Sequence, residues 1–477
     1  MFFGREKQLR QLDSLWKKKV SSFVTCRGRR RIGKSTLIER FAETSRCRFI
    51  KLEGRRPDSK GSNASELSTF AEQLAAQTGG DATPPSNWLN AFIRLSEKIN
   101  GREKTVVLID EVSWLGYYDD AFAGTLKIAW DNYLKKKDRL IFVVCGSVSS
   151  WIRDNIIDNS AFMGRRALDL IVEALPLKEC IKFWGRAAER IDLGEVIDVL
   201  SIVGGVPRYL EEIDPSESAA ANIQRLGFAA HGLLREDFDV MFVDVVTKLP
   251  TLSGRVLREL AGGSRTVTEV ASALGMAKSG VITGVVEGLG EAGLVGCDGG
   301  FNPETGRPSR EVKYRIKDNY SRFYLKCIEP VKEMIDASAY DCTSLDLLPG
   351  WNTIMGLAFE NLVISNYREL LPELHLESSL VTSVGSWRKK STGAQGGCQV
   401  DLLIQTARTV CLVEIKRMKE IPRTIADEVE RKVRCIRRRP GVSVKTALVY
   451  DGHLMPGVES DGYFDAVVPF GRLLTGR

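Results

Sequence analysis

A phosphate-binding loop is the first chemical feature of the sequence. Two glycines, a lysine and a serine fit the spacing G-x-x-x-x-G-K-[ST] in Gly28-Arg29-Arg30-Arg31-Ile32-Gly33-Lys34-Ser35. Glycines let the backbone curl round an anion, so that successive N–H groups and the N-terminus of the next helix face it. Lys34 would then reach the β- and γ-phosphates, and the Ser35 hydroxyl would ligate Mg²⁺, with Thr36 beside it in the same site. We expect ATP and Mg²⁺ to bind here.

Two acidic residues follow an apolar run that is typical of a buried strand. The run Val106–Ile109 leads directly into Asp110 and Glu111. Because a nucleotide lies at the carboxyl ends of the strands in such sheets, Asp110 would hold the Mg²⁺ through its water shell. Glu111 would orient and deprotonate the attacking water. Another apolar run, Leu140–Cys145, ends shortly before Ser147, which would lie near the γ-phosphate or would simply end the strand.

A second group of acidic residues lies towards the end of the chain. The runs Val400–Ile404 and Val410–Lys416 would form a hairpin in which residue 405 pairs with residue 410, and this register places Asp401 opposite Glu414. Opposed side chains have Cβ atoms about 4.5–5.5 Å apart. Two neighbouring carboxylates repel each other unless a cation lies between them. The pattern therefore predicts a divalent metal site, with Mg²⁺ as the expected ion.

Further residues complete this predicted site. Lys416 points to the same face as Glu414, because side chains two residues apart on a strand share a face. It would orient a water molecule or stabilise a pentavalent phosphate. Glu360, near the start of a predicted helix, would supply another carboxylate, and the predicted helix Ile425–Ile436 is rich in Arg and Lys, which fits a polyanionic substrate. The alternative is a solvated hairpin without chemistry.

The composition argues against several other classes of protein. Of the 477 residues, 43% are apolar and 27% are charged, and the net charge of +7 permits a nucleic-acid partner without requiring one. No run approaches the ~18 apolar residues that span a bilayer, and the first residues do not suggest a secretory signal. Ten cysteines without a C-x-x-C pair and only three histidines disfavour a disulfide scaffold, a thiolate zinc site and a histidine-based centre. We expect a cytoplasmic protein without a membrane partner.

Alternating strands and helices would position the phosphate-binding residues. Five apolar runs interleaved with amphipathic segments predict an α/β fold with a parallel sheet over residues 1–175. Residues 176–250 are predicted to form a helical lid, and residues 251–320 three helices and a hairpin, as in a winged helix-turn-helix. Residues 321–350 are predicted to be a linker, and residues 351–477 a second α/β domain.

The predicted winged helix is poorly suited to reading a DNA sequence. Its second helix, Ser279–Ala292, carries almost no basic or amide side chains that could contact base edges. The loop of its hairpin has Arg307 and Arg310, which could contact phosphate. We therefore favour a structural role for this segment over sequence-specific DNA binding.

The N-terminal motifs resemble those of archaeal-type ATPases of the STAND class, within the AAA+-like P-loop proteins. Besides the phosphate loop and the Asp110-Glu111 pair, the resemblance rests on Phe3-Gly4-Arg5-Glu6 and on Gly205-Val206-Pro207, and it covers residues 1 to about 320. It implies that Arg5 lies near the adenine and that Pro207 touches the base.

The same resemblance implies an arginine near the phosphates. Gly164-Arg165-Arg166 matches the segment that supplies it, with Arg166 as the catalytic candidate, from the same chain or from a neighbouring subunit of a homo-oligomer. Arginine stabilises transition-state charge there better than lysine does. The alternative is a solvated basic pair.

The order of the C-terminal residues resembles the PD-(D/E)XK restriction-endonuclease-like fold. A nuclease-like domain of this kind is often fused to archaeal-type ATPases. The resemblance implies that Glu360, Asp401 and Glu414 ligate the metal and that Glu414 and Lys416 are catalytic.

The sequence as a whole predicts a P-loop NTPase with a helical lid and a winged helix, followed by a restriction-endonuclease-like α/β domain. Its predicted function is an ATP-hydrolysing switch that senses nucleotide through Ser147 or Arg166 and regulates a metal-dependent nuclease. The expected partner is nucleic acid, with DNA favoured over RNA, and the resemblance suggests a role in defence. Two alternatives remain open: a nucleic-acid-binding ATPase whose nuclease-like domain is catalytically silent, and a signalling ATPase that assembles protein partners.

Overall fold

The chain is divided into two compact units in the computed structural model. The N-terminal unit comprises Gly4–Ala174, and the C-terminal unit comprises Leu175–Arg477 together with Met1–Phe3. The structure describes residues 2–147, 149–245, 249–309, 311–340, 342, 344–389 and 397–476. Arg310, predicted to contact phosphate, lies outside the described residues.

Five parallel strands form the sheet of the N-terminal unit. They are β1 (Ser22–Arg27), β2 (Arg48–Glu53), β3 (Thr105–Asp110), β4 (Leu140–Gly146) and β5 (Arg166–Ile171). Their order across the sheet is β2-β3-β4-β1-β5. The side chains of β3 and β4 are buried throughout, as expected for a parallel sheet covered on both faces. The predicted α/β fold of this part of the chain is confirmed.

Helices connect these strands and cover the sheet. They are Glu6–Leu15, Lys34–Ser45, Asn63–Thr78, Trp88–Glu97, Val112–Leu115, Phe122–Asn132 and Ser149–Ile152. Ser62 and Asn87 cap two of them by accepting hydrogen bonds from main-chain N–H groups of the first turn. On one side, Phe70, Trp88 and Phe122 form an aromatic core with the apolar side chains of the sheet.

The C-terminal unit begins with helices. Those preceding residue 246 are Leu177–Cys180, Leu193–Val203, Pro207–Leu210, Ala219–Gly227 and Leu233–Val245. The helix Leu193–Val203 is buried along most of its length, because apolar residues occupy nearly all of its surface. Within the described residues, no helix has both the length and the apolar character needed to cross a membrane.

Three helices and a two-stranded antiparallel sheet follow. The helices are Pro250–Ala261, Val267–Ala273 and Gly280–Glu291, and the strands are β6 (Val295–Asp298) and β7 (Lys313–Ile316). Thr266 and Glu269 form a capping box at the start of the second helix, which fixes where that helix begins.

The first part of the segment predicted to be a linker is buried. Short helical elements occur at Asn319–Phe323, Tyr324–Ile328, Glu329–Val331, Lys332–Asp336 and Leu345–Leu347. Tyr324 is buried, and the buried guanidinium of Arg322 donates hydrogen bonds to the carbonyl oxygens of Ala261 and Ile316. Residues 321–325 therefore pack with their neighbours, unlike an exposed linker, whereas most of the described residues from 336 to 350 are exposed and the linker stays a prediction there.

A mixed five-stranded sheet lies in the last part of the chain. Its strands are β8 (Val381–Lys389), β9 (Cys398–Thr406), β10 (Thr409–Ile421), β11 (Ser443–Leu454) and β12 (Ala466–Pro469), in the order β12-β11-β10-β9-β8. The pairs β8–β9 and β9–β10 are antiparallel, and β10–β11 and β11–β12 are parallel. The helices here are Trp351–Ser365, Tyr367–Leu370, Ile425–Cys435 and Gly471–Thr475.

Two of these strands have weak sequence signals. We expected two strands, a helix and one strand after the helix at residue 351, whereas β8 and β12 are additional. β8 contains few large apolar residues, and β12 has only four residues and ends at Pro469. Both are edge strands of the sheet, and a very short edge strand that ends at proline is one way in which proteins prevent a sheet edge from pairing with another chain.

Candidate functional site

The loop between β1 and the helix Lys34–Ser45 has the geometry of an anion cradle. A Cβ at Gly28 would lie 2.3 Å from the carbonyl oxygen of Val172, so only glycine fits there. Gly33 precedes the helix with a φ of 85°, which favours glycine. The Lys34 ammonium is buried inside the loop and donates hydrogen bonds of 3.1 Å to the carbonyl oxygens of Gly28 and Arg29.

A hydroxyl and a carboxylate that fit a metal ion lie together beside this loop. The Ser35 hydroxyl donates a hydrogen bond of 2.5 Å to Asp110 Oδ2. Asp110 is the last residue of β3 and is buried. A hydroxyl and a carboxylate next to an anion site fit Mg²⁺, which is usually held by few protein oxygens together with phosphate oxygens and waters. Thr36 follows Ser35 in the helix and is exposed.

The Glu111 carboxylate contacts the end of β4. Its backbone is left-handed, with a φ of 46°. The carboxylate accepts hydrogen bonds from the Ser147 hydroxyl at 2.9 Å and from the Ser147 main-chain N–H at 3.2 Å. Burial raises the pKa of Glu111, while the Lys34 charge and the Ser147 hydrogen bonds lower it. Glu111 and Ser147, which the sequence assigns to separate roles, are therefore in direct contact.

Lys51 is a residue of this region that sequence reasoning missed. Its ammonium lies 3.6 Å from Asp110 Oδ2 and 3.1 Å from Glu39 Oε1. The side chain comes from β2, which pairs with β3. The sequence shows a lysine within a strand, but not that this strand is the neighbour of the one that carries Asp110.

Arg5 contacts the phosphate loop. Its guanidinium is buried and donates a hydrogen bond of 3.1 Å to the carbonyl oxygen of Ile32. Pro207 begins the short helix Pro207–Leu210 in the C-terminal unit. The predicted contacts of Arg5 with adenine and of Pro207 with the base stay predictions.

Arg166 lies at the wrong end of the sheet to sense the phosphates of its own chain. It is the first residue of β5 and pairs with Phe23 near the start of β1, whereas the phosphate loop follows the other end of β1. At about 3.3 Å per residue, the five residues from Phe23 to Gly28 span about 16 Å. Arg166 donates a hydrogen bond to the Ile157 carbonyl oxygen. The structure therefore does not bring Arg166 to the phosphate loop of its own chain, and a role of Arg166 at the phosphates stays a prediction.

Arg165 is held by a carboxylate on its own chain. Its guanidinium makes hydrogen bonds of 2.8 and 2.9 Å with the two carboxylate oxygens of Asp131. This ion pair fixes the segment that precedes β5 to the helix Phe122–Asn132.

The C-terminal hairpin has the predicted register. Gln405 pairs with Val410, and Leu402 pairs with Val413, so the next opposed residues are Asp401 and Glu414. The Ile415 main-chain N–H donates a hydrogen bond of 3.4 Å to Asp401 Oδ2. Burial and the neighbouring Glu414 raise the pKa of Asp401 to about 6, whereas Lys432 and, less strongly, Lys416 lower it.

Two ammonium groups hold the buried carboxylate of Glu414. Lys416 Nζ lies 3.1 Å from Glu414 Oε1, and Lys432 Nζ lies 2.5 Å from Glu414 Oε2. Lys416 also lies 3.4 Å from Glu428 Oε2. From the sequence we assigned Lys432 only to a basic helix. The spacing of Ile425, Val429 and Lys432 could have shown where the Lys432 side chain points, because residues at this spacing share one helix face. Ile425 and Val429 are buried, so Lys432 also faces the core.

Glu360 does not complete a three-carboxylate metal site. It lies on the helix Trp351–Ser365, where burial and Asp401 raise its pKa to about 7 and the charges of Arg315 and Arg322 lower it. Across the described parts of the chain, no three His, Cys, Asp or Glu side chains are grouped so that they could hold one ion. The predicted role of Glu360 as a third ligand is thus not supported.

The N-terminal motifs lie within a match to a known protein family. Residues 2–213 match the model of an ATPase domain that is found predominantly in archaea. This match contains the loop, Asp110, Glu111 and Pro207. The chain carries a P-loop ATPase domain.

Similarity to one relative extends beyond the ATPase domain. An uncharacterized protein of Methanocaldococcus jannaschii is 23% identical over 424 residues, which cover 87% of each chain. Solved structures with a similar arrangement include a Walker-type ATPase of Pyrococcus abyssi, with 16% identity, a TM-score of 0.49 and coverage of 68% of this chain and 96% of that one. The ORC2 protein of Aeropyrum pernix has 14% identity, a TM-score of 0.43 and coverage of 70% and 94%.

Proposed function

We propose that the ATPase domain is a switch of the STAND class that controls a metal-dependent nuclease in the C-terminal unit. The observation that carries this proposal is the adjacent pair of half-buried Asp401 and buried Glu414 on one face of the sheet, with Lys416 against Glu414. Two adjacent carboxylates, one of them fully buried, are costly in free energy and need compensating positive charge. Such pairs are typical of sites that bind a cation and act on a substrate.

The chemistry would follow from these residues and a bound ion. Asp401 and Glu414 fit two ligand positions of Mg²⁺, whose other ligands are commonly water and substrate phosphate. When bound there, the ion would supply Lewis acidity and lower the pKa of its water. Lys416 would stabilise the negative charge that develops on the attacked phosphate.

Nucleic acid is the substrate class that the surface charge supports, with DNA favoured over RNA. The helix Ile425–Cys435 places Arg431 and Arg434 at the surface, and Arg437, Arg438 and Arg439 follow it. Basic residues of this kind bind a phosphate backbone without regard to its sequence. In this proposal the segment 250–316 is a winged helix that transmits the nucleotide state, and the setting is defence against foreign DNA.

A nuclease assay with variants tests the proposal. Purified protein is incubated with single- and double-stranded DNA and RNA, with Mg²⁺ or Mn²⁺, and with ATP or ADP. We expect cleavage by the wild type, a loss of at least 10²-fold in Asp401→Ala and Lys416→Ala, since such groups contribute 10²–10⁴-fold, and altered cleavage in Glu111→Gln, which should retain ATP. Equal cleavage by the wild type, Asp401→Ala and Lys416→Ala would indicate contamination and would contradict the proposal.

One observation favours a second candidate, a nucleic-acid-binding ATPase with a silent C-terminal site. Ammonium groups already lie beside both oxygens of Glu414: Lys432 donates a hydrogen bond to Oε2, and Lys416 lies 3.1 Å from Oε1. Binding to polynucleotides without any cleavage would support this candidate. Absence of binding at every salt concentration would instead favour an ATPase that assembles protein partners.

A further inference from the structure

We propose that the Lys432 ammonium group occupies the cation position between Asp401 and Glu414 and has to leave it before a divalent ion binds. The inference deepens the proposed function, because it rests on the metal site of that function. It concerns metal binding alone and does not require that the site cleaves nucleic acid.

The contacts of Lys432 place its charge at the carboxylate pair. Its Nζ lies 2.5 Å from Glu414 Oε2, on a side chain of Glu414 that is fully buried. Its charge also acts on Asp401, and more strongly than the charge of Lys416 does. Two adjacent carboxylates, of which Glu414 is fully buried, need a compensating cation, and Lys432 supplies it from within the chain.

Lys432 and Lys416 differ in what else they can bind. Lys416 has a second carboxylate partner, Glu428, at 3.4 Å. Among the carboxylates in the described parts of the chain, Lys432 forms an ion pair with Glu414 alone. Two carboxylates therefore balance the charge of Lys416. The ion pair of Lys432, in contrast, is made with the Glu414 oxygen that a metal would bind.

The helix that carries Lys432 keeps its side chain directed at the sheet. Ile425 and Val429 lie on the same face of this helix and are buried in the core of the second sheet. A lysine side chain is long and flexible, so its ammonium can move out to solvent while the stem stays packed. Displacement of Lys432 thus needs a change of side-chain conformation and not an unfolding of the helix.

Metal binding to the nucleotide-free full chain tests the inference. Isothermal titration calorimetry with Mn²⁺ would compare the wild type, Lys432→Met and Asp401→Asn, the last defining the heat that does not come from this site. We expect Lys432→Met to bind Mn²⁺ at least about tenfold more tightly, since a competing unit charge has been removed. Unchanged or weaker binding by a folded Lys432→Met protein overturns the inference.

Arg431→Met is the matched control. It removes one positive charge from the adjacent position of the same helix, where Arg431 is exposed and bonds the main-chain oxygen of Asp427. We expect its Mn²⁺ affinity to equal that of the wild type. A gain as large as that of Lys432→Met would mean that net charge, and not the occupied position, sets the affinity, and would overturn the inference.

A measurement on the wild type keeps the inference testable if Lys432→Met does not fold. Acetic anhydride acetylates accessible lysines, and mass spectrometry reports the extent at each one. We expect Mn²⁺ to increase acetylation of Lys432 relative to the exposed Lys419, whereas an unchanged ratio at saturating Mn²⁺ contradicts displacement. Since neither measurement contains nucleic acid, a protein that binds metal as expected but cleaves nothing would refute the nuclease proposal and leave this inference standing.

Discussion

Asp110 and Glu111 are adjacent in sequence, but their side chains have different partners. Asp110 accepts a hydrogen bond from Ser35, and Glu111 accepts two from Ser147. Burial raises the pKa of Glu111, which suits a group that takes a proton from water near neutral pH. The different partners are compatible with the predicted roles, in which Asp110 holds the metal and Glu111 is the base.

Glu111→Gln should separate ATP binding from ATP hydrolysis. The amide keeps the size of the side chain but does not act as a base, so we expect hydrolysis to fall by at least roughly 10²-fold with ATP affinity nearly unchanged. Phosphate release and binding of a fluorescent ATP analogue measure the two quantities. The control is Glu43→Gln on the helix that follows the phosphate loop, where the carboxylate is exposed. Hydrolysis at the wild-type rate in Glu111→Gln would remove this residue from the mechanism.

The ion pair of Asp131 and Arg165 should make a small pH-dependent contribution to stability. Hydrogen bonds from Arg165 lower the pKa of Asp131 to about 2. Because the folded-state pKa is depressed, the stabilisation is present above the unfolded pKa of about 4 and is lost as the pH falls towards 2. We expect Asp131→Asn to lower the free energy of unfolding by about 1 kcal/mol or less at pH 7. Urea titrations should show this difference shrink below about pH 4, and a difference that persists at pH 2 would contradict the assignment.

At the scale of elements, the edge strand β2 is covered by side chains of a helix. Gln77 accepts a hydrogen bond from the Lys51 N–H at 2.9 Å and donates one of 2.6 Å to the Lys51 carbonyl oxygen. Gln73 repeats this pattern at Glu53. The two amides thus imitate a neighbouring strand, which protects the edge from pairing with another chain.

Gln77→Ala should weaken this edge. Two main-chain groups of Lys51 lose their partners, and we expect the free energy of unfolding to fall by about 1 kcal/mol. Urea denaturation measures the change, with Glu72→Ala on the exposed side of the same helix as the control. If both variants unfold at the same urea concentration, the amide contacts do not stabilise the strand.

At the scale of the whole molecule, the N-terminal sheet separates its phosphate loop from Arg166. The loop follows the carboxyl end of β1, and Arg166 pairs near the amino end of that strand. Arg166 therefore does not lie at the phosphate loop of its own chain. Two interpretations of the sequence stay open: an arginine that acts on a neighbouring copy of the chain, and a basic side chain without a catalytic role.

An Arg166 that acts on a neighbouring chain predicts that ATP hydrolysis depends on protein concentration. We expect the rate per chain to rise by roughly tenfold or more on assembly, since arginines of this kind act on transition-state charge, and Arg166→Ala to lack the rise. Mixing Arg166→Ala with Glu111→Gln should restore activity, because one protein then supplies the arginine and the other the base. Activity that is independent of concentration and of mixing would exclude an arginine from a neighbouring chain.

The sequence by itself determined the parallel sheet, the phosphate loop and the register of the C-terminal hairpin. These features depend on residues close in the chain: apolar runs, glycines at fixed spacing, and a two-residue turn that fixes which side chains are opposed. The pairing of Asp401 with Glu414 was predictable for the same reason.

The tertiary structure alone decided which distant side chains share these sites. Lys51 meets Asp110 because β2 lies beside β3, and Lys432 meets Glu414 because its helix packs on β10. The charges of Arg315 and Arg322 act on Glu360 for the same kind of reason. The order of strands and the packing of helices are set by burial summed over the whole molecule, so no local pattern of residues encodes these contacts.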